Sequence, residues 1–191
     1  MCEPATWVCM HPELEEIVQQ LWFVNDGPYG WIPQVRIIDK TAILKWMESH
    51  DLEVLGHLHY LLSDKRFQID PQLSRAEYIW FCRRYYKRCL VDNPDGEWAH
   101  NRCEAAWSFV KWFTMLWDDP TVAQSSLEEL KADLTKLYEK GDHPVRRCIA
   151  NSILCRLFER SAIRNYFRDW ESDPTLSIAY REAIRRMPKT F

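Results

Sequence analysis

Apolar residues recur at intervals of three and four along most of the 191-residue chain, a spacing typical of one face of an α-helix. Start and stop signals divide this pattern into about eight helices joined by short loops. We therefore predict an all-α fold, either a helical bundle or an irregular α-α stack. The predicted helices span about 12–24, 39–47, 51–62, 74–91, 97–118, 126–140, 142–159 and 173–186, with a shorter segment at 161–170.

Several of these boundaries carry residues that cap helices. Ser74 and Ser126 are each followed three positions later by a glutamate, which is the pattern of a capping box. Asp39 has the short acceptor side chain that suits an N-cap, and Gly141 is placed to end the helix that Ser126 opens. The sequence therefore predicts well-defined ends for these helices.

Only the segment 29–38 has the character of a strand. Its length and the proline at position 33 favour an extended connector or a lone edge strand, so we build no sheet on it. The chain contains no low-complexity tract and no linker, which predicts a single helical domain over 1–191.

The helix predicted over 97–118 is the most apolar and is expected to lie buried at the centre of the fold. Apolar side chains cover most of its circumference and leave only a narrow polar line. Arg102 falls inside the apolar stripe, where a guanidinium is costly without a carboxylate partner. We expect either a structural ion pair or a pocket in which Arg102 receives an anion or an acidic group of a partner. The candidate ligand-binding residues are Arg102, Glu104, Lys111, Trp98 and Trp107.

The composition agrees with a helical protein in a reducing compartment. Aromatic residues make up 14% of the chain, but there are only five glycines, which disfavours folds built on glycine turns. The seven cysteines cannot all pair within one chain. Cys82 and Cys89, like Cys148 and Cys155, are seven positions apart on one predicted helix, which separates their thiols by about 10 Å and excludes a disulfide between them. We expect reduced, buried thiols and a cytoplasmic protein.

The charges are unevenly distributed, although the formal net charge is only −3. Residues 1–70 contain 5 basic and 11 acidic residues, whereas residues 131–191 contain 13 basic and 8 acidic residues. The acidic N-terminal third is therefore expected to contact a basic partner. No stretch is long and apolar enough to predict a membrane span, and the first ten residues lack the features of a secretory signal.

Metal-binding patterns are incomplete in this sequence. Glu53 and His57 share one face of a predicted helix, but no HExxH or comparable motif completes a site around them. Cys2, Cys9 and His11 form only a loose group without a second cysteine cluster. We predict no metal and no other cofactor.

Two basic segments have the composition of a nucleic-acid site. Residues 78–89 interleave aromatic and basic side chains, but on a helix the two kinds fall on different faces. Arginines recur every four residues from Arg156 to Arg168, and they form one basic ridge unless the helix breaks at Ser161. We favour an amphipathic helix and a solvated, ion-paired face, and we do not expect nucleic-acid binding.

The segment 142–150, with the sequence DHPVRRCIA, resembles the start of the second helix of a HEAT repeat. With the preceding helix, the resemblance covers about 126–160, and no second copy follows at a fixed period. The resemblance implies one helical hairpin, a helix-on-helix stack and a surface for protein binding. It implies nothing about catalysis.

Two functional hypotheses of different classes follow. The first is a helical protein-interaction module, of the kind to which bacterial immunity and antitoxin proteins belong, that acts on another protein or a second copy by shape and charge complementarity. The alternative is a small helical enzyme or ligand-binding protein with an aromatic pocket around Arg102. The absence of a catalytic motif favours the first hypothesis, and we expect no membrane association.

Overall fold

The computed structural model describes residues 36–187, which are mostly helical with two short strands. The all-α prediction is therefore confirmed, while the helix predicted over 12–24 lies outside the described residues. The elements are β1 Arg36–Asp39, α1 Lys40–Met47, α2 Leu52–Ser63, β2 Phe67–Asp70, α3 Arg75–Asp92, α4 Arg102–Asp118, α5 Gln124–Lys140, α6 from residue 143 to 157, α7 Ser161–Tyr166 and α8 Leu176–Arg186. Helix α6 consists of His143–Cys148, a π-helical segment Ile149–Leu154 and a last turn Cys155–Leu157, and a 3-10 helix, Arg168–Ser172, precedes α8.

The chain divides into two compact units. The described part of the first unit runs from residue 36 to Cys82 and also contains Gly96–Ala99. The second unit contains Arg83–Asp95 and residues 100–187. The single domain over 1–191 stays a prediction. None of the described helices is long and apolar enough to cross a membrane.

A small parallel sheet lies in the first unit. Strand β1 pairs with β2, with Ile38 opposite Ile69. The expectation of an unpaired extended segment over 29–38 is therefore wrong for residues 36–38, the part of that segment that the structure describes. No residue pattern predicted β2, because a four-residue strand is too short to display alternation and its partner lies two helices away in the chain.

Helices α1 and α2 begin at aspartates. The Asp39 carboxylate accepts the N–H of Thr41 at 2.6 Å, and the Asp51 carboxylate accepts the N–H of Glu53 at 2.8 Å. These bonds satisfy amide groups that have no partner inside the first turn. Burial of each large apolar side chain of these two helices contributes about 1.5–3 kcal/mol to the free energy of unfolding. The buried apolar residues of the two helices are Ile43, Trp46, Met47, Val54, Leu55, Leu58 and Leu61.

One of the two predicted capping boxes is confirmed. At the start of α3, the N–H of Ser74 donates to the Glu77 carboxylate at 2.7 Å, and the N–H of Glu77 donates to the Ser74 hydroxyl at 3.2 Å. The second box, at Ser126 and Glu129, is wrong, because α5 begins at Gln124 without a side-chain cap. The same residue pattern can lie inside a first turn, so it locates a helix start only to within a few residues.

Helix α4 begins at Arg102, so the start predicted for the helix over 97–118 is wrong. The Asn101 side chain accepts the backbone N–H groups of the second and third residues of α4, at 2.9 and 3.0 Å. In return, the Glu104 carboxylate accepts the N–H of Asn101 at 3.0 Å. This capping box starts the helix, and Trp98 therefore does not belong to the apolar stripe of α4.

Helix α4 is buried on one side only. Its buried face consists of Ala105, Ala106, Phe109, Trp112, Phe113 and Leu116. Trp107 and Met115, in contrast, are each 56% exposed. The prediction of a helix wrapped on most sides is therefore wrong, because apolar character alone does not tell which of two apolar faces a neighbouring helix covers.

The core of the second unit is built around one phenylalanine. Phe167 is fully buried, and the ring centroids of Phe113, Phe158 and Trp170 lie between 5.3 and 6.2 Å from its own. Aromatic pairs at such separations contribute about 0.5–1.5 kcal/mol beyond their buried area. These contacts join α4 to the end of α6 and to the chain that follows α7.

Helix α6 lies alongside α4 and runs in the same direction. Near its beginning, the Cys148 thiol donates to the Arg102 carbonyl oxygen at 3.7 Å, in the first turn of α4. Just beyond its end, the Arg160 guanidinium donates to both carboxylate oxygens of Asp118, the last residue of α4, at 2.8 and 2.6 Å. The segment 126–160, which resembles a HEAT hairpin, thus supplies two helices of the second unit, with a π-helical centre in the second of them.

Candidate functional site

The loop Gly96–Ala99 is held against α2 in the first unit by a carboxylate. Glu53 accepts the backbone N–H groups of Trp98 and Ala99, at 3.1 and 3.3 Å. The two backbones approach closely, since a Cβ atom at Gly56 would lie 2.6 Å from the Trp98 carbonyl oxygen. A glycine is therefore required at position 56 for this packing.

Trp98, one of the predicted ligand-binding residues, stacks on a buried histidine. The ring centroids of Trp98 and His57 are 4.3 Å apart, and Tyr60 meets the indole edge-on at 5.3 Å. The His57 Nδ1 lies 2.8 Å from the Glu53 carbonyl oxygen, so Nδ1 carries the proton. Burial lowers the pKa of His57 and keeps the imidazole neutral at pH 7. This histidine therefore packs the loop against α2.

The Glu53 and His57 pair does not extend to a metal site within the described structure. The Glu53 carboxylate is directed to backbone amides. Among residues 36–187, no group of three or more His, Cys, Asp or Glu side chains is placed to hold a metal ion. Cys2, Cys9 and His11 lie outside the described residues.

Arg102 is directed to the end of α3. Its Nε donates to the Leu90 carbonyl oxygen at 2.6 Å, and its Nη2 donates to the Val91 carbonyl oxygen at 2.9 Å. Both carbonyls belong to the last turn of α3, whose final C=O groups have no partner inside the helix. The positive guanidinium also lies at the negative end of the helix dipole. These contacts are those of a helix C-cap, in place of the expected ion pair with a carboxylate.

Tyr85, His100 and Ser108 form a series of polar contacts that no pattern in the sequence predicted. The Tyr85 hydroxyl accepts the backbone N–H of His100 at 2.9 Å and lies 2.7 Å from the Nδ1 of the same residue. The Nε2 of His100 lies 3.5 Å from the Ser108 hydroxyl oxygen.

Burial lowers the pKa of His100, which agrees with a neutral imidazole. The fully buried Tyr85 thus anchors the residue that precedes the α4 capping box. We infer that the contacts among Tyr85, His100 and Ser108 hold the loop between α3 and α4 in place.

Four side chains form an exposed face on α4 and α6. Trp107, Lys111 and Met115 are each four positions apart, so they lie nearly in line along α4. All three are exposed. The Arg156 guanidinium of α6 lies over the indole of Trp107, 5.4 Å from the ring centroid. We call these four residues the Trp107 face.

The structure brings only part of the predicted site together. Trp107 and Lys111 share the Trp107 face, whereas Glu104 belongs to the α4 capping box. Arg102 caps α3, and Trp98 belongs to the first unit. Whether any of the five binds a ligand stays a prediction.

Two members of the Trp107 face were not predicted. Met115 could have been found by continuing the four-residue interval from Trp107 and Lys111. Arg156 could not, because it reaches Trp107 from another helix and no spacing in the sequence relates the two.

The basic segments are paired with acids in the second unit. The Arg83 guanidinium contacts the carboxylates of Glu129 and Asp133 on α5, and the Lys87 Nζ lies 3.8 Å from Asp133. The helix breaks between α6 and α7, so the arginines from 156 to 168 do not form one continuous ridge. These contacts, together with the Arg156–Glu159 and Arg160–Asp118 ion pairs, support the ion-paired interpretation of both segments.

No protein-family model matches the sequence, and neither a curated protein nor a solved structure is significantly similar to it.

Proposed function

We propose that the protein is a helical protein-interaction module whose binding surface is the Trp107 face. The exposure of Trp107 carries this proposal. A tryptophan that is 56% exposed in the middle of a well-formed helix leaves a large apolar area in contact with water. Tryptophan, arginine and methionine are enriched where protein partners bind, and tryptophan and arginine dominate the residues that contribute most of the affinity.

The Trp107 face is also organised before binding. The Arg156 guanidinium lies over the indole, and its Nη1 donates to the Glu159 carboxylate at 3.0 Å. An exposed cation–π contact contributes about 0.5–1 kcal/mol, which favours one orientation of the Trp107 ring. Side chains that are already ordered lose less conformational entropy on binding, so the free energy of association is more favourable.

The chemistry of the face indicates the kind of partner. Lys111 lies between Trp107 and Met115 on one line of the helix. A complementary segment carries apolar side chains at both ends and a carboxylate between them. We therefore propose that the occupant is an amphipathic, acidic segment of another protein, with the charge contributing mainly to the rate and specificity of association.

The acidic N-terminal third is a weaker candidate for the binding surface. Within its described part, 36–70, Asp39 and Asp51 cap helices and Glu53 holds a backbone loop. Asp64 is paired with Arg66, whose Nη2 lies 2.5 Å from its carboxylate. Carboxylates that already satisfy groups of the same chain are poorly placed to recognise a basic partner. The immunity or antitoxin type of the module remains a prediction.

Affinity capture with matched variants tests the proposal. The tagged full-length protein and its variants are used as baits in extract from cells that contain the natural protein, and the captured proteins are quantified by mass spectrometry. Trp107→Ser and Lys111→Glu alter the Trp107 face. Ile178→Ser, at an apolar position that is 59% exposed on α8, and Lys136→Glu, on the exposed side of α5, are the controls.

We expect one protein to be captured by the wild type and by both controls but not by Trp107→Ser. With this protein purified, Trp107→Ser should weaken the affinity by about 30-fold or more, the effect of losing a dominant interface residue. Lys111→Glu should weaken it mainly through a slower association rate. If every captured protein depends on the control positions instead, or none depends on Trp107, the proposal is wrong.

A further inference from the structure

Two cysteines meet where the first turn of α4 lies beside α6. The Cys148 Sγ is 3.7 Å from the carbonyl oxygen of Arg102, and the next residue is Cys103. Across a planar peptide, that oxygen is about 2.8 Å from the Cα atom of Cys103, so the Cys148 sulfur lies within roughly 6.5 Å of this Cα atom. Since the Cys103 thiol is attached through Cβ to this Cα atom, the two thiol groups are neighbours, and a disulfide between them requires Cα atoms no more than about 6.8 Å apart.

The contacts between α4 and α6 also indicate the direction of the Cys103 side chain. Cys103 and Trp107 are four positions apart and occupy one side of α4. Arg156 of α6 lies over the Trp107 ring at 5.4 Å, so α6 follows this side of α4. Helical side chains lean toward the N-terminus, which brings the Cys103 thiol toward Cys148, near the beginning of α6.

The two thiols differ in accessibility. Cys103 is exposed, whereas Cys148 is buried. Burial, with a smaller contribution from the ionised form of Cys103, raises the pKa of Cys148 to about 11. This contribution agrees with the proximity of the two side chains. In such a pair, the exposed thiol reacts with a soluble reagent to form a mixed disulfide. The buried thiol then displaces the reagent and forms the disulfide between the two cysteines.

We propose that Cys103 and Cys148 are a redox-active thiol pair that closes to a disulfide between α4 and α6 by exchange with a small-molecule disulfide such as oxidised glutathione. In the first step, the Cys103 thiolate attacks one sulfur of the oxidised glutathione. A mixed disulfide forms, and one glutathione thiolate leaves. In the second step, Cys148 loses its proton and attacks the Cys103 sulfur, and the second glutathione thiolate leaves.

The exchange is balanced. The two cysteines lose two electrons and two protons, and oxidised glutathione gains both as two glutathione molecules. The product is a covalent link between the first turn of α4 and α6. This inference is independent of the Trp107 face as a binding surface, since neither cysteine belongs to that face.

The other described cysteines do not share this arrangement. Cys82 and Cys89 are fully buried and seven positions apart on α3, about 10 Å along the helix axis. Cys155 is buried, and its thiol donates to the Asn151 carbonyl oxygen at 2.6 Å. These three residues are buried, as expected, whereas Cys103 is exposed. That the thiols are reduced stays a prediction.

The test is thiol exchange on the folded, full-length protein. The reduced protein is equilibrated with mixtures of reduced and oxidised glutathione, remaining thiols are blocked with N-ethylmaleimide, and the protein is digested without reduction for mass spectrometry. In the wild type, we expect most of the oxidised Cys103 to be linked to Cys148. The linked peptide should disappear after reduction, and circular dichroism should show that the protein remains folded.

Two variants separate the steps. Cys103→Ser, at an exposed position, should abolish the linked peptide without unfolding the protein. Cys148→Ser should accumulate the mixed disulfide of Cys103 with glutathione, because no resolving thiol is present. The proposal is overturned if the folded wild type yields only glutathionylated Cys103, links Cys103 mainly to another cysteine, or leaves both residues reduced.

Discussion

Replacing Arg102 by methionine tests whether this residue stabilises the fold. Methionine keeps the unbranched apolar part of the side chain but removes the two donors that reach the Leu90 and Val91 carbonyl oxygens at 2.6 and 2.9 Å. A hydrogen bond from a charged donor contributes about 1.5–3 kcal/mol when it is shielded from water. Arg102 is half-buried, so solvent screening brings the expected loss for both bonds together to about 1–3 kcal/mol.

Equilibrium urea unfolding followed by circular dichroism measures this loss. With a denaturant slope of about 2 kcal/mol per molar urea, a loss of 2 kcal/mol lowers the midpoint by about 1 M. Arg147→Met is the matched control, because Arg147 is exposed on α6 and such surface changes stay within about 0.5 kcal/mol. If Arg102→Met lowers the midpoint no further than Arg147→Met, Arg102 is not a structural cap, and the alternative of a ligand-binding arginine gains support.

Two further predictions concern the first unit and the buried histidines. A glycine-to-alanine change normally stabilises a helix interior by about 1 kcal/mol. Gly56→Ala should instead lower the urea midpoint, because the new Cβ would lie 2.6 Å from the Trp98 carbonyl oxygen. A raised midpoint would contradict the close packing. Burial lowers the pKa values of His57 and His100 below the ordinary 6.5, so the unfolded state binds protons first as the pH falls. The free energy of unfolding should therefore be largest above about pH 6.5 and decrease toward the folded-state pKa values, and in His57→Gln the difference between midpoints at about pH 7.5 and 5.5 should shrink. An unchanged difference in that variant would show that His57 is not the titrating group.

Local signals in the sequence located most of the helices. The capping residues Asp39 and Ser74 act within a few positions of themselves, so their roles can be read from neighbouring residues. Asn101 and Glu104 form an equally local capping box, but the apolar residues before them made the helix appear to begin earlier. The confirmed all-α class rests on this kind of short-range pattern.

The parts that sequence could not predict depend on distant contacts. Strand β2 forms because β1 lies beside it. Arg102 was expected to form an ion pair or to line a pocket, and only the fold shows that the last carbonyl groups of α3 lie next to it. The exposure of Trp107 also depends on distant contacts. Helix α4 has two apolar sides, and the packing of the neighbouring helices determines which of them is buried.

Oxidative footprinting of the bound complex tests the central claim most directly, because tryptophan and methionine side chains are themselves the reactive probes. The protein is exposed to hydroxyl radicals alone and with its captured partner, and oxidation of each residue is quantified by mass spectrometry. The account predicts that the partner strongly reduces oxidation of Trp107 and Met115, while oxidation of Trp80, which is 43% exposed on α3, stays unchanged. Equal oxidation of Trp107 and Met115 with and without the partner would contradict the assignment of the Trp107 face as the binding surface.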